Sequence, residues 1–291
     1  MSVTVVKSVI VDSGISVFYR TASPPNNKNA PTVVLLHRFP SSSHQYRHLI
    51  PLLVQHYNVV APDLPGFGFT VVPEDRKYKY TFDVLSRTIG AFLDTLSITS
   101  FAVYIFDYGA PVLLWLALER PNAISAIISQ NGNTYDEGLG DAWAPIWAYW
   151  ASGSDADRKA IGVAVLNFDT TKWQYTHGSQ APEAIKPESY TLDAALLECP
   201  GNSEIQLDLF KDYANNVALY PQFQEYFRKS QVPLLAMWGK NDPFFIPPGA
   251  EAFKKDLPKG EVLLLDAGHF AGETEIDEIV GRMMKFLKQV Y

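Results

Sequence analysis

Four short, unbroken apolar runs, rich in β-branched and aromatic residues, constrain this chain more than any other feature. They are "TVVLLH" at 32–37, "YNVVAPD" at 57–63, "FAVYIFD" at 101–107 and "ISAIISQN" at 124–131. A strand with one wet face alternates apolar and polar residues, whereas a continuous apolar run fits a strand covered on both faces. Stretches with helical spacing separate the runs: "YRHLIPLLVQH", "TFDVLSRTIGAFLDTLSI" and "PVLLWLALERP". In the second of these, Thr81 is placed to cap the helix and Asp83 falls in its first turn. Strand and helix in alternation predict an α/β fold, a mostly parallel sheet flanked by helices on both faces. The first 21 residues alternate instead, which predicts two strands around the turn "DSG".

The pattern breaks after Asn131. From Gly132 to about Gln231 no buried strand is evident, and aromatic, helix-like stretches take over: "DAWAPIWAYWAS", "SDADRKAIGVAVLN", "SYTLDAALLE" and "EIQLDLFKDYANNV". Strand and helix then resume with "VPLLAMWG", "PPGAEAFKKD", "EVLLLDAG" and "EIDEIVGRMMKFLKQV". The expected organisation is a core from 1–132, a helical insertion from 133–230, and the rest of the core from 231–291. A chain of 291 residues, 47% of them hydrophobic, is ample for that.

Charge and composition narrow the partners. The net charge is −7, and the 24 Lys and Arg residues are scattered without a basic run, which argues against nucleic acid and anionic membranes. No apolar run has the length of a membrane span, and the N-terminus lacks the features of a signal peptide. The single cysteine, Cys199, excludes an intrachain disulfide and reads as a structural or incidental thiol. No histidine or cysteine pair has metal-ligand spacing. The expectation is a soluble, cytoplasmic protein, a monomer or homodimer, acting on a small molecule without metal or cofactor.

In open parallel sheets, sites form at the carboxyl ends of the strands. Four strand ends carry polar residues here: "HRFP", "FDYGA", "WGKNDPFF" and "DAGHF". Asp107 stands at the corner between a strand and a helix, and the small residues Gly109 and Ala110 let that helix approach closely. This is where a nucleophile elbow holds its nucleophile, although a carboxylate that merely caps the helix would look the same. Ile105 replaces the small residue usual two positions before the nucleophile and suggests an altered turn. The chain order Asp107, Asp242, His269 is that of nucleophile, acid and base in elbow-bearing hydrolases. Asp266 competes with Asp242 for the acid's role, but lies on the strand, three residues before the histidine.

These pieces, from "LLHRFPSSSHQYRHLIPLL" and "VVAPDLPGFGFT" through "VYIFDYGAPV" to "LLAMWGKNDPFF" and "LDAGHF", resemble the α/β-hydrolase superfamily, in the branch of epoxide hydrolases and haloalkane dehalogenases. The resemblance implies an α/β-hydrolase fold whose helical insertion caps the site. It implies that Asp107 attacks an alkyl carbon, that His269 activates water against the resulting ester, and that Asp242 orients His269. The backbone N–H groups of Phe39 and Tyr108 would form the oxyanion hole. Arg38 stands where the family usually has glycine. It would face a substrate anion, pair with a nearby acid, or sit strained at the surface.

The leaving group separates the sub-families. A dehalogenase typically places tryptophan directly after the nucleophile, and here that residue is Tyr108. An epoxide hydrolase uses two cap tyrosines, which the resemblance puts at Tyr149 and Tyr213, though each is also an ordinary packing residue. Trp143, Trp147, Trp150, Trp173 and Tyr175 are candidates for a cap lining, which suits a hydrophobic or aromatic substrate, or for simple packing. Epoxide hydrolysis is the leading expectation. A haloalkane dehalogenase, a lactone or ester hydrolase, and a non-hydrolytic receptor or isomerase on this scaffold are the alternatives.

Overall fold

Alternate residues of the central strands bury themselves on opposite sides of one sheet. In β3 (Thr32–Leu36), Val33 and Leu35 join one hydrophobic cluster while Val34 and Leu36 join the other, and none is more than 1% exposed. This is the two-sided burial that the unbroken apolar runs require. The structure is a computed structural model that describes residues 3–12, 14–27 and 29–291.

The other strands are β1 (Val5–Val11), β2 (Ile15–Ala22), β4 (Asn58–Pro62), β5 (Phe101–Phe106), β6 (Ile124–Gln130), β7 (Leu234–Gly239) and β8 (Glu261–Leu265). They form one eight-stranded sheet in the order β1-β2-β4-β3-β5-β6-β7-β8. From β4 to β8 every pairing is parallel, while β2 runs antiparallel to β1 and β4. The first two strands match the expected hairpin, of whose "DSG" turn Ser13 lies outside the described residues. Strand β8 closes the sheet as an edge, and Leu264 is accordingly 42% exposed.

Helices cover both faces. The helices α1 (Leu49–Leu53), α2 (Phe82–Thr95) and α3 (Gly109–Glu119) connect the first strands. Thr81 caps α2 as expected, its hydroxyl accepting from the N–H of Val84. Between β6 and β7 come α4 (Ala144–Ser152), α5 (Asp155–Val165), α6 (Phe168–Thr176), α7 (Pro187–Leu197), α8 (Asn202–Ala218) and α9 (Tyr220–Ser230). The chain ends with α10 (Pro247–Ala252), α11 (Ala271–Thr274) and α12 (Ile276–Val290). Helices α2, α3 and α9 pack on one face of the sheet, and α1 and α12 on the other. Helix α3 is apolar almost all round and buried almost throughout.

Among the described residues, 132–231 contribute no strand to the sheet. Two helices of this insertion have no counterpart in the sequence expectations. Helix α6 lacks an apolar stripe and is held at its start by Asn167, whose side chain accepts from the N–H of Thr170. Helix α9 does carry a stripe of Tyr220, Phe223 and Phe227, all buried, behind a proline in its first turn. Among the described residues, no helix is long and apolar enough to cross a membrane.

Candidate active site

Strand β5 ends at Phe106, and the next residue makes the corner. Asp107 has φ +46°, a region that non-glycine residues enter at a cost of about 1–3 kcal/mol and that persists where the surroundings enforce it. Gly109 provides the enforcement. A Cβ there would lie 2.4 Å from the carbonyl oxygen of Leu36, so only glycine lets α3 begin this close to β3. The turn is therefore sharp despite Ile105, contrary to the altered turn expected from the sequence. The space for Ile105 is left at Gly132, where an added Cβ would meet Ile105 at 3.3 Å and Ser129 at 2.8 Å.

Asp107 is 4% exposed, and one of its oxygens is held from two sides. Oδ2 accepts from the backbone N–H of Phe39 at 3.1 Å and from Nε of Arg38 at 3.4 Å. The loop carrying these donors is fixed by His37, also buried. Its Nε2 accepts from the N–H of Leu64 at 2.9 Å, so its Nδ1 carries the proton and donates to the carbonyl of Arg38 at 2.9 Å. Burial pushes the imidazole of His37 down to about 4, which keeps it neutral in that role.

Arg38 is not a surface residue: it is 2% exposed and does not occupy the left-handed region. Besides Asp107, its guanidinium donates from Nη2 to Oε1 of Gln174 at 2.6 Å and lies 4.3 Å from the ring centre of Phe270. An anion, a neutral acceptor and an aromatic face together compensate the burial of this charge. Of the three expectations for Arg38, pairing with a nearby acid is the one these contacts match.

His269 donates from Nδ1 to Oδ2 of Asp242 at 2.5 Å. Asp242 sits in the loop after β7, and its carboxylate is anchored further by the N–H of Phe244 at 2.8 Å and by Nδ2 of Asn131 at 2.7 Å. Asn131 also accepts from the N–H of Gly239 at 2.9 Å, so it ties the end of β6 to the acid's loop. Asp266, the rival acid, is exposed and engaged by Lys240 and Asn241. Burial, with Arg38 nearby, pushes His269 down to about 4 against the pull of Asp242, and the ring is neutral at neutral pH. Burial also pushes Asp107 up to about 7, against the opposing influence of Arg38 and the Phe39 N–H.

Asp107 and His269 open into one cavity. Its walls are mostly apolar and include Trp143 and Ile146, Ile161 and Val165 of α5, Phe210 of α8, and Phe244. The polar members besides Asp107 and His269 are Arg38, Tyr108 and Gln174, and Phe39 lines it too. Of the aromatic residues expected to line a cap, only Trp143 does so. Trp147 and Trp173 are about two-fifths exposed, at 39% and 40%. Trp150 donates its indole N–H to the carbonyl of Phe210 and stacks on Tyr213. Tyr175 stacks on Phe270 and donates to Asp193.

The two expected tyrosines part company. Neither is among the cavity-lining residues. The hydroxyl of Tyr149 accepts from Nη1 of Arg158 at 3.2 Å. The hydroxyl of Tyr213 is buried beside that of Tyr220, and its ring packs against Trp143 and Tyr108. Burial pushes its phenol well above 10, and the Asp107 carboxylate adds to that rise. Sequence reading missed Gln174 and Asn131. Asn131 closes the apolar run "ISAIISQN", a strand-end position like those that flagged the other residues. Nothing in "TKWQYT" marks Gln174.

Residues 31–276 match the family described as alpha/beta hydrolase fold, and the chain belongs to that family. It is a hydrolase built on that fold. Over 282 residues, 96% of each chain, it is 46% identical to a Saccharomyces cerevisiae protein described as the uncharacterized hydrolase YNR064C. It is 25% identical over 285 residues to a haloalkane dehalogenase of Psychrobacter cryohalolentis, covering 95% of this chain and 88% of that one. The solved structure of epoxide hydrolase VrEH1 from Vigna radiata shares the fold with a TM-score of 0.76 at 23% identity, over 98% of each chain.

One pH dependence follows from this geometry. A nucleophilic role would need Asp107 as the carboxylate, so the rate of an alkylation at Asp107 would rise with pH through about 7 and level off above it. His269, neutral down to about 4, adds no second limb above pH 5. Stopped-flow alkylation rates between pH 5 and 9 test this. A flat profile would show that Asp107 is not raised as its burial implies.

Proposed function

We propose that the protein hydrolyses epoxides to diols through an ester on Asp107, with the helical insertion acting as a cap over the site. The observation that carries this reading is the corner carboxylate itself. One oxygen is held by Phe39 and Arg38, and the carboxylate shares an apolar cavity with a neutral imidazole backed by Asp242.

In the first step Oδ1 of Asp107 attacks an epoxide carbon, the ring C–O bond breaks, and its electron pair stays on oxygen. That alkoxide is a strong base and takes a proton from a phenol. Tyr213 is the proposed donor, because it packs against Tyr108, the residue after Asp107, and lies within the electrostatic influence of Asp107. In the second step His269 takes a proton from water, and the hydroxide adds to the carbonyl carbon of the ester. Oδ2 carries the resulting oxyanion between the Phe39 N–H and Arg38 Nε. The N–H of Tyr108 stands at the start of α3, where amides lack intrahelical partners, and is placed to join them. Collapse releases the diol, and the proton on His269 restores the phenol.

A departing halide needs N–H donors on the far side of the carbon from Asp107, whereas the unpartnered donors of Arg38 and Gln174 lie on the side of Asp107. The cavity's tryptophan, Trp143, donates its indole N–H to the carbonyl of Phe244 at 3.1 Å. The position after the nucleophile holds a tyrosine whose hydroxyl is unpartnered. These observations favour the epoxide over the haloalkane.

Tyr213→Phe keeps the ring packing and removes the proton, so alkylation by epoxides should slow about 10²-fold or more. Tyr149→Phe, whose hydroxyl serves Arg158, should change that rate far less. Adduct formation measured in both variants decides. An unchanged rate in Tyr213→Phe would withdraw it as the donor, and halide release without epoxide turnover by the parent protein would replace the epoxide reading.

A further inference from the structure

Two buried side chains on the cavity wall keep hydrogen-bond donors that nothing in the protein accepts. Arg38 and Gln174 both line the cavity, and each is 2% exposed. Nε of Arg38 faces Asp107 and Nη2 faces Oε1 of Gln174, but Nη1 has no partner. On Gln174 the oxygen is occupied by Arg38, and Nε2 has no partner either. Buried donors without acceptors are costly, most of all on a charged group, and at a cavity wall the compensating acceptor is a ligand.

We infer that Arg38 and Gln174 form a subsite for a carboxylate carried by the substrate beside the carbon that Asp107 attacks, an inference that rests on the epoxide reading above. A guanidinium N–H and a neighbouring amide N–H present two donors to a planar anion with two oxygens, in a cavity whose other walls are largely apolar. The position follows from displacement geometry. In-line attack puts the leaving oxygen on the far side of the carbon from Asp107. Arg38 is hydrogen-bonded to Asp107, so it stands on the near side. It therefore meets a substituent of the attacked carbon rather than the leaving oxygen. Arg38 lies between the two carboxylates and offsets their repulsion. Trp143, Ile146 and Phe210 receive the apolar remainder. The substrate class is a 2,3-epoxy acid with an aryl or alkyl group on the carbon remote from the carboxylate.

The test compares kcat/KM for 3-phenylglycidate with that for the neutral epoxide in which methyl replaces the carboxylate. Because Arg38 also holds Asp107, the ratio between the two substrates is the readout rather than either rate. The parent protein should prefer the glycidate by about 10-fold or more, and Arg38→Met should lower the ratio by about 10²-fold. Gln174→Leu should lower it by about 10-fold, and it leaves the pairing of Arg38 with Asp107 in place should Arg38→Met fail to fold. A ratio that favours the neutral epoxide, or is unmoved in both variants, overturns the subsite. If the parent protein turns over neither epoxide, the epoxide reading fails, and binding of unreactive 3-phenylpropionate decides the subsite by calorimetry. Binding weakened at least about 10-fold by Gln174→Leu sustains it, and absent or unaffected binding overturns it.

Discussion

Asp107→Asn is expected to stop epoxide hydrolysis, by roughly 10⁴-fold or more, while the protein stays folded with an intact cavity. The amide oxygen can still accept from Phe39 and Arg38, as Oδ2 of the carboxylate does, but the amide is no nucleophile toward an alkyl carbon. Asp107→Ala should be equally inactive and also less stable. From the sequence, a corner carboxylate in a cleft looks dispensable for stability. The structure changes that expectation, because alanine leaves the buried Arg38 Nε and Phe39 N–H without the acceptor oxygen that an asparagine amide still offers. Leaving buried donors without an acceptor typically costs about 1–3 kcal/mol. Gln174 and the Phe270 ring keep part of the compensation, which places alanine at or below the low end of that range. Thermal unfolding of the two variants beside the parent separates the effects. Equal melting of the asparagine and alanine variants would mean that Arg38 does not depend on Asp107.

His269→Gln is expected to separate the two half-reactions. In the proposed mechanism alkylation needs Asp107 and a proton donor, not the imidazole, so the variant should still take up an epoxide. Hydrolysis of the ester needs a base, and steady-state turnover should fall by at least about 10³-fold. The ester should then accumulate, and intact mass should show one added substrate, located by digestion on the peptide that holds Asp107. Full turnover in the variant would remove His269 from the reaction. A substrate that binds without forming an adduct would remove the ester.

Much of this arrangement was legible in the sequence, because strand ends in a parallel sheet are where sites form and the informative residues cluster there. Asp107, Asp242 and His269 each follow an apolar run, and the structure puts Asp107 and His269 on one cavity with Asp242 paired to His269. What sequence could not supply were contacts made across long stretches of chain. Arg38 is buried because Gln174, 136 residues away, and Phe270 receive its guanidinium. Ile105 fits at the elbow because Gly132 leaves room on the neighbouring strand's loop. Residue spacing places Tyr149 and Tyr213 on helices of the insertion, but the direction of a hydroxyl depends on its partners. Arg158 engages that of Tyr149, and that of Tyr213 lies beside Tyr220. Helix α6, which carries Gln174, has no apolar period to read, so neither the helix nor its role was foreseeable.

The covalent ester on Asp107 is tested most directly by a single turnover in ¹⁸O-labelled water, with enzyme in excess over an epoxide. The diol of that first turnover should carry unlabelled oxygen taken from the Asp107 carboxylate, and the label should appear in the peptide that contains Asp107. Label in the first diol, with none in that peptide, would show that water attacks the epoxide itself and that no ester forms.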